Sequence, residues 1–190
     1  MKLYQVADEY YLSHDYKNLR QETKTHYEYC LNSALATPVE GVVIGEVDCT
    51  NLSTKQAKLA YDLWCDRGIS TANHIMAAIR MVLNYAVRME HCNINPFATV
   101  RRRATKPRKV VWTKEDVKKL LDAAYSDFST RNIGLIAHMA YEWCQRVGDM
   151  RLLKWNAIDF EKRRVIILQS KRNAMVELPI DDDLYDMLVQ

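Results

Sequence analysis

Glycine and proline are scarce in this chain, five and four among 190 residues, which argues against a collagenous or disordered protein. No internal repeat and no low-complexity segment interrupts it. Cysteines are few. Cys30, Cys49, Cys65, Cys92 and Cys144 are odd in number and show neither CxxC spacing nor a histidine at finger spacing, which speaks against a disulfide scaffold and a zinc site and for a reducing cytosol. No apolar run reaches membrane-spanning length, and MKLYQVADEYY at the start lacks an apolar signal core, so neither membrane nor export is expected. Acidic residues are missing from one stretch in particular, RRRATKPRK at 101–109.

Against these absences stand 48% hydrophobic and 27% charged residues, enough for one full-sized domain or two small ones, largely helical. The net charge of +3 is unevenly placed: residues 1–100 carry 9 basic and 11 acidic side chains, residues 101–190 carry 18 and 13. The excess lies in the acid-free stretch, at Arg101, Arg102, Arg103, Lys106, Arg108 and Lys109. Such a run is either a soluble tether or a segment that crosses a phosphate backbone and gains salt-dependent affinity from released counterions. It precedes a helix start with Thr113 as N-cap and Asp116 at the capping-box position, which makes it an interdomain linker.

Residues 2–98 read as helices. Leu3, Val6, Ala7, Tyr10 and Tyr11 form one stripe, and a second helix runs from about Gln21 through Ala36. PVEGVVIGEVDC is either a short strand or a turn leading to a Ser53-capped helix that Gly68 ends. A fourth helix opens at Ser70 or Thr71 and is expected to stop near Asn95-Pro96. Four helices with short connections suffice for a bundle. From Trp112 onward helices are expected near 114–125, 131–145 and 148–154. Val165 and Ile167, then Val176, Leu178 and Ile180, alternate on two strands. The hairpin between them carries Ser170, Lys171, Arg172 and Asn173 at its tip, without the Asn-Gly or Asp-Gly pair that would define its turn.

Arg146 follows an apolar helix bearing Ile136, Met139, Ala140 and Trp143, with Gly148 expected to break the helix. It either caps a helix C-terminus or directs paired guanidinium donors at a phosphodiester. Asp149 either orients Arg146 or caps the next turn. Leu152, Leu153 and Trp155 are expected to anchor that turn. Lys171 is either a solvated tip residue or a general acid for a departing 5′-oxygen, with Arg172 its competitor. His138, within the apolar helix, reads as a satisfied or semi-buried imidazole.

CQRVGDMRLLKWNAIDF resembles the box of the tyrosine recombinases or phage integrases that reads roughly TGxRxxELxxLxWxDID. LQSKRNAMVELPI resembles the strand-loop-strand that follows it with the lysine of the family. ISTANHIMAAIRMVLNYAVRMEHCNINPF is similar to the last helix of the family's core-binding domain, and VVWTKEDVKKLLDAA to the start of its catalytic domain. The resemblance spans essentially the whole chain. It implies a mainly α fold: a four-helix SAM-like core-binding DNA-binding domain at 1–98, a basic linker at 99–111, and at 112–190 the first part of an α+β catalytic domain with a small antiparallel sheet. It implies that Arg146 is the first catalytic arginine, Asp149 its acidic support and Lys171 the catalytic lysine. Trp143 and Cys144 stand where the family has Thr-Gly, which makes the turn less permissive.

The family's His-x-x-Arg box and nucleophilic tyrosine follow the lysine hairpin by roughly a hundred or more residues, and Tyr185 is expected to be a core or surface tyrosine and not the nucleophile. The chain is thus expected to be the front portion of an integrase, binding DNA without cleaving it. The intact enzyme would carry out phage or prophage integration and excision through a 3′-phosphotyrosyl intermediate without metal or nucleotide cofactor. The implied partners are double-stranded DNA, contacted by the linker cations and Arg172, other protomers in a tetramer, and DNA-bending accessory proteins. The implied place is the bacterial cytoplasm at the nucleoid. Two alternatives remain: a non-catalytic DNA-binding regulator derived from a recombinase, and a helical protein-interaction module with no affinity for DNA.

Overall fold

The computed structural model describes residues 1–107 and 109–190. The chain divides into two compact units, Met1–Pro107 and Arg108–Gln190. The first comprises α1 (Leu3–Leu12), the short α2 (His14–Lys17), α3 (Gln21–Leu35), α4 (Thr54–Asp66) and α5 (Ile69–Arg88). Helix α5 is central because its apolar residues recur at three and four. Ala72, Ile75, Met76, Ile79, Val82, Leu83 and Ala86 are all buried, and α1, α3 and α4 pack on them. Ser53 opens α4 with a reciprocal capping box: its Oγ accepts the Gln56 N–H (3.1 Å) while Gln56 Oε1 accepts the Ser53 N–H (3.0 Å).

The ambiguous β-branched stretch resolves into a hairpin, β1 (Pro38–Val39) and β2 (Val42–Val43), followed by a 3-10 turn at Ile44–Glu46. Its two turn residues, Glu40 and Gly41, have φ of 50° and 82°, the mirror-image turn whose twist matches paired strands.

Helix α5 stops at Arg88, earlier than the expected Asn95-Pro96. Glu90 takes φ 60°, and His91 N–H donates to Ala86 O (2.9 Å) and Glu90 N–H to Val87 O (3.1 Å). This left-handed closure normally falls to glycine or asparagine, so a glutamate gave no sign of it. Past the closure, Phe97 and Val100 are buried, Phe97 stacking on Trp64 with centroids 5.6 Å apart. Arg80 fastens the segment by donating to the carbonyls of Phe97 (2.8 Å), Ala98 (3.4 Å) and Val100.

The second unit comprises α6 (Lys114–Tyr125), α7 (Arg131–Glu142), α8 (Val147–Arg151), β3 (Ile158–Asp159), β4 (Arg164–Gln169), β5 (Ala174–Pro179) and α9 (Asp182–Val189). Thr113 and Asp116 form the expected capping box of α6. The three strands are antiparallel in the order β3-β4-β5, with Val165 opposite Leu178 and Ile167 opposite Val176. Val165 and Ile167 face the core, joined by Met139, Trp143, Met150, Ile180, Leu184 and Leu188. Strand β3 was not foreseen, because two residues carry no alternation. Helices α6 and α7 meet at Gly134, where a Cβ would stand 2.9 Å from the Tyr125 ring and 3.0 Å from Ala124 Cβ. His138 is buried there, its Nδ1 3.0 Å from the Tyr125 hydroxyl, a satisfied imidazole as expected. Mainly helical, with small antiparallel sheets, the chain has the expected fold class.

Candidate functional site

Helix α7 ends at Glu142, and its C-cap Trp143 is buried with Nε1 donating to Pro179 O (2.9 Å). The chain then turns through Cys144, whose φ is 49°. The helix therefore breaks at Cys144. Gly148, expected to break it, lies inside α8. Arg146 is extended at the N-cap position of α8, four residues past the end of α7, with its side chain 45% exposed. The left-handed turn releases the chain from α7 and begins a new helix at this arginine.

Asp149 is buried, and it caps no helix. Its Oδ1 accepts the Ser170 N–H (3.1 Å), and its Oδ2 lies 3.9 Å from Arg146 Nη1. The Ser170 hydroxyl first, then its N–H, and then the Arg146 charge hold the carboxyl below the usual carboxylate range, against the opposing effect of burial. One carboxylate thus faces both α8 and the β4–β5 hairpin. A second bridge is made by the residue before Arg146: Gln169 Nε2 donates to Gln145 Oε1 (2.7 Å), and Gln145 Nε2 to Trp143 O (2.9 Å). The tip closes with Asn173 at φ 53° and its N–H donating to Gln169 O (2.8 Å). Lys171 and Arg172 are exposed upon it. Sequence reasoning missed Gln145, Gln169 and Ser170, since side chains that bridge two elements follow no period.

The expected apolar anchors of this turn need correction. Leu152 is 77% and Trp155 62% exposed, so neither is a buried anchor, and Trp155 keeps only a stacking contact with Phe160, centroids 6.4 Å apart. Met150, which is buried, and Leu153 do the packing, because the short α8 turns only one narrow stripe inward. Tyr185 packs between Phe160, with centroids 6.0 Å apart, and the Arg163 guanidinium, 4.3 Å from its ring centroid. Of the linker cations, Arg101, Arg102, Lys106 and Lys109 are exposed, and Arg108 lies outside the described residues. Arg103 is tied down: its N–H donates to Tyr61 Oη (2.7 Å) and its guanidinium to Asp62 (2.8 Å).

Residues 111–190 match the phage integrase family. The match lies within the second unit and covers less than half of the chain. Among solved structures, a lambda integrase dimer bound to a COC′ core site is similar at TM-score 0.80 and 22% identity, over 97% of this chain and 65% of that one. A lambda integrase tetramer bound to a Holliday junction gives 0.79 and 21%, over 97% and 53%. The Tn1549 transposon integrase in complex with transposon right end DNA gives 0.78 and 17%, over 100% and 64%. At such identities the likeness is one of fold, and it extends over both units. The chain spans about half to two thirds of the length of these integrase chains. No curated protein matches it. The left-handed φ of Cys144 marks a position that glycine would take without crowding.

Proposed function

We infer that this chain is the front part of a site-specific recombinase of the integrase type, which cleaves and rejoins DNA through a 3′-phosphotyrosyl intermediate. The observation that carries this is the buried Asp149, which sits beside Arg146 at 3.9 Å and accepts the N–H of Ser170, the neighbour of Lys171. One carboxylate couples a half-exposed guanidinium to a hairpin that presents an ammonium, the pairing that phosphodiester cleavage uses. Arg146 directs paired donors at the non-bridging oxygens, where negative charge builds in the transition state. Lys171 gives its proton to the 5′-oxygen as the P–O bond breaks, because an unprotonated alkoxide leaves poorly. Asp149 is a positioning residue. Tyr185 is held in packing against Phe160 and the Arg163 guanidinium and is not assigned the attacking hydroxyl.

In this reading residues 1–98 are the core-binding domain, 99–111 the basic linker and 112–190 the N-terminal part of the catalytic domain. Duplex DNA is gripped by Arg101, Arg102, Arg103, Lys106, Arg108, Lys109 and Arg172, and further protomers join on the recombination site. Lambda integrase structures as a dimer on a core site and a tetramer on a Holliday junction support the assembly.

The test uses a cleavage-competent recombinase containing this segment and a suicide DNA substrate scored for covalent complex. Arg146→Lys is expected to fold and bind DNA while losing cleavage by about a hundredfold or more, since binding is shared over many phosphates and transition-state stabilisation is not. Lys171→Ala is expected to regain cleavage on a substrate with a 5′-thiol leaving group, which needs no proton. Near-normal cleavage by Arg146→Lys, or no thiol rescue, refutes the respective role.

A further inference from the structure

The basic stretch of 101–109 is not uniform, and the difference lies in Arg103. Its backbone is clamped on both sides: the N–H donates to Tyr61 Oη (2.7 Å), Tyr61 Oη donates to Asn73 Oδ1 (2.7 Å), and Asn73 Nδ2 donates back to Arg103 O (3.0 Å). Tyr61 is fully buried, so this closed ring is a fixture of the bundle. From it the guanidinium reaches Asp62 Oδ1 at 2.8 Å, with the two side chains 51% and 37% exposed. Lys58, one turn before Asp62 on α4, pairs with the other oxygen. Arg101, Arg102 and Lys106 carry no such partner.

We propose that Asp62 is an intramolecular competitor of DNA for Arg103: the ion pair keeps this cation from the phosphate backbone and sets the affinity of the basic stretch from within the bundle. Resting on the DNA-binding reading above, this assigns Asp62 a regulatory role in it. A guanidinium already neutralised inside the protein displaces no counterion on binding unless the internal pair is first broken. An exposed pair is weak enough to yield, so the effect is one of tuning.

The 190-residue chain and a labelled duplex suffice for the test, with anisotropy titrations over a range of salt. Asp62→Asn is expected to tighten binding about two- to fivefold and to steepen the log–log salt slope by about 0.9. Arg103→Ala in the Asp62→Asn background should abolish the gain, and Lys58→Ala in that background should leave it. Asp66→Asn, which removes an equal charge from an exposed site one turn further along α4, should give no comparable steepening. An equal gain in Asp66→Asn, a gain that survives Arg103→Ala, or no change in Asp62→Asn overturns the competition while DNA binding stands. A wild-type chain without salt-dependent affinity for duplex overturns the DNA-binding reading and the competition with it.

Discussion

Cys144 holds a φ of 49°, where an L side chain crowds the following carbonyl at a cost of about 1–2 kcal/mol. Glycine relieves that crowding and loses part of the gain to its greater freedom when unfolded, about 0.5–1 kcal/mol. Cys144→Gly should therefore raise stability by about 0.5–1 kcal/mol, read as a higher urea midpoint at unchanged slope. A lower midpoint would mean that the side chain contributes more than the strain costs. Asp149 makes a prediction of opposite character, in pH. Its folded carboxyl titrates below the unfolded one, so its contribution is fully present above the ordinary carboxylate range and is lost as the pH falls through the folded value. Urea midpoints of wild type and Asp149→Asn should differ most near neutrality and converge in acid. Curves that stay parallel down to acid pH would show that the charge does not stabilise the Asp149–Ser170 contact.

The helix pair α6–α7 depends on the closeness of its elements. A methyl at Gly134 would press against the Tyr125 ring and Ala124 Cβ, both within 3.0 Å, and would part the helices or move the ring that faces His138. Gly134→Ala should cost about 1–3 kcal/mol despite its better helix propensity, measured by thermal or urea unfolding. A stabilised variant would mean that Tyr125 gives way freely. The β4–β5 hairpin is the complementary case, an element whose turn exposes Lys171 and Arg172 while Gln169 and Ser170, just before them, are bridged to the segment around Arg146 by Gln145 and Asp149. Its strands were legible because Val165, Ile167, Val176 and Leu178 alternate. The bridges beside its turn were not, since a glutamine in a polar stretch looks the same whether it meets solvent or another glutamine.

On the scale of the chain, the boundary between the units lies within the basic stretch, at Pro107 and Arg108. The segment leading into it is buried at Phe97 and Val100 and its first part is held through Arg103, whereas residues 104–107 and 109–111 are exposed outside any helix or strand. Limited trypsinolysis without DNA should therefore cut after Lys109 before it cuts after Arg101, Arg102 or Arg103. An early cut in α5 or α7 would refute the division. No helix among the described residues is long and apolar enough to cross a membrane.

Helix α5, the capping boxes at Ser53 and Thr113 and the two long strands were determined by the sequence itself, because period and capping chemistry are local properties of neighbouring residues. The integrase boxes likewise singled out Arg146, Asp149 and Lys171 one by one. Tertiary structure alone decided where α5 and α7 stop, since Glu90 and Cys144 take a left-handed conformation that surrounding contacts impose on residues with no preference for it. It alone decided that Leu152 and Trp155 face outward, that Asp149 joins α8 to the hairpin, and that Arg103 is answered by Asp62. Each of these depends on which distant atoms meet. A pattern of residue types records how a segment is built, but the partner of a polar side chain is chosen by the packing of whole elements.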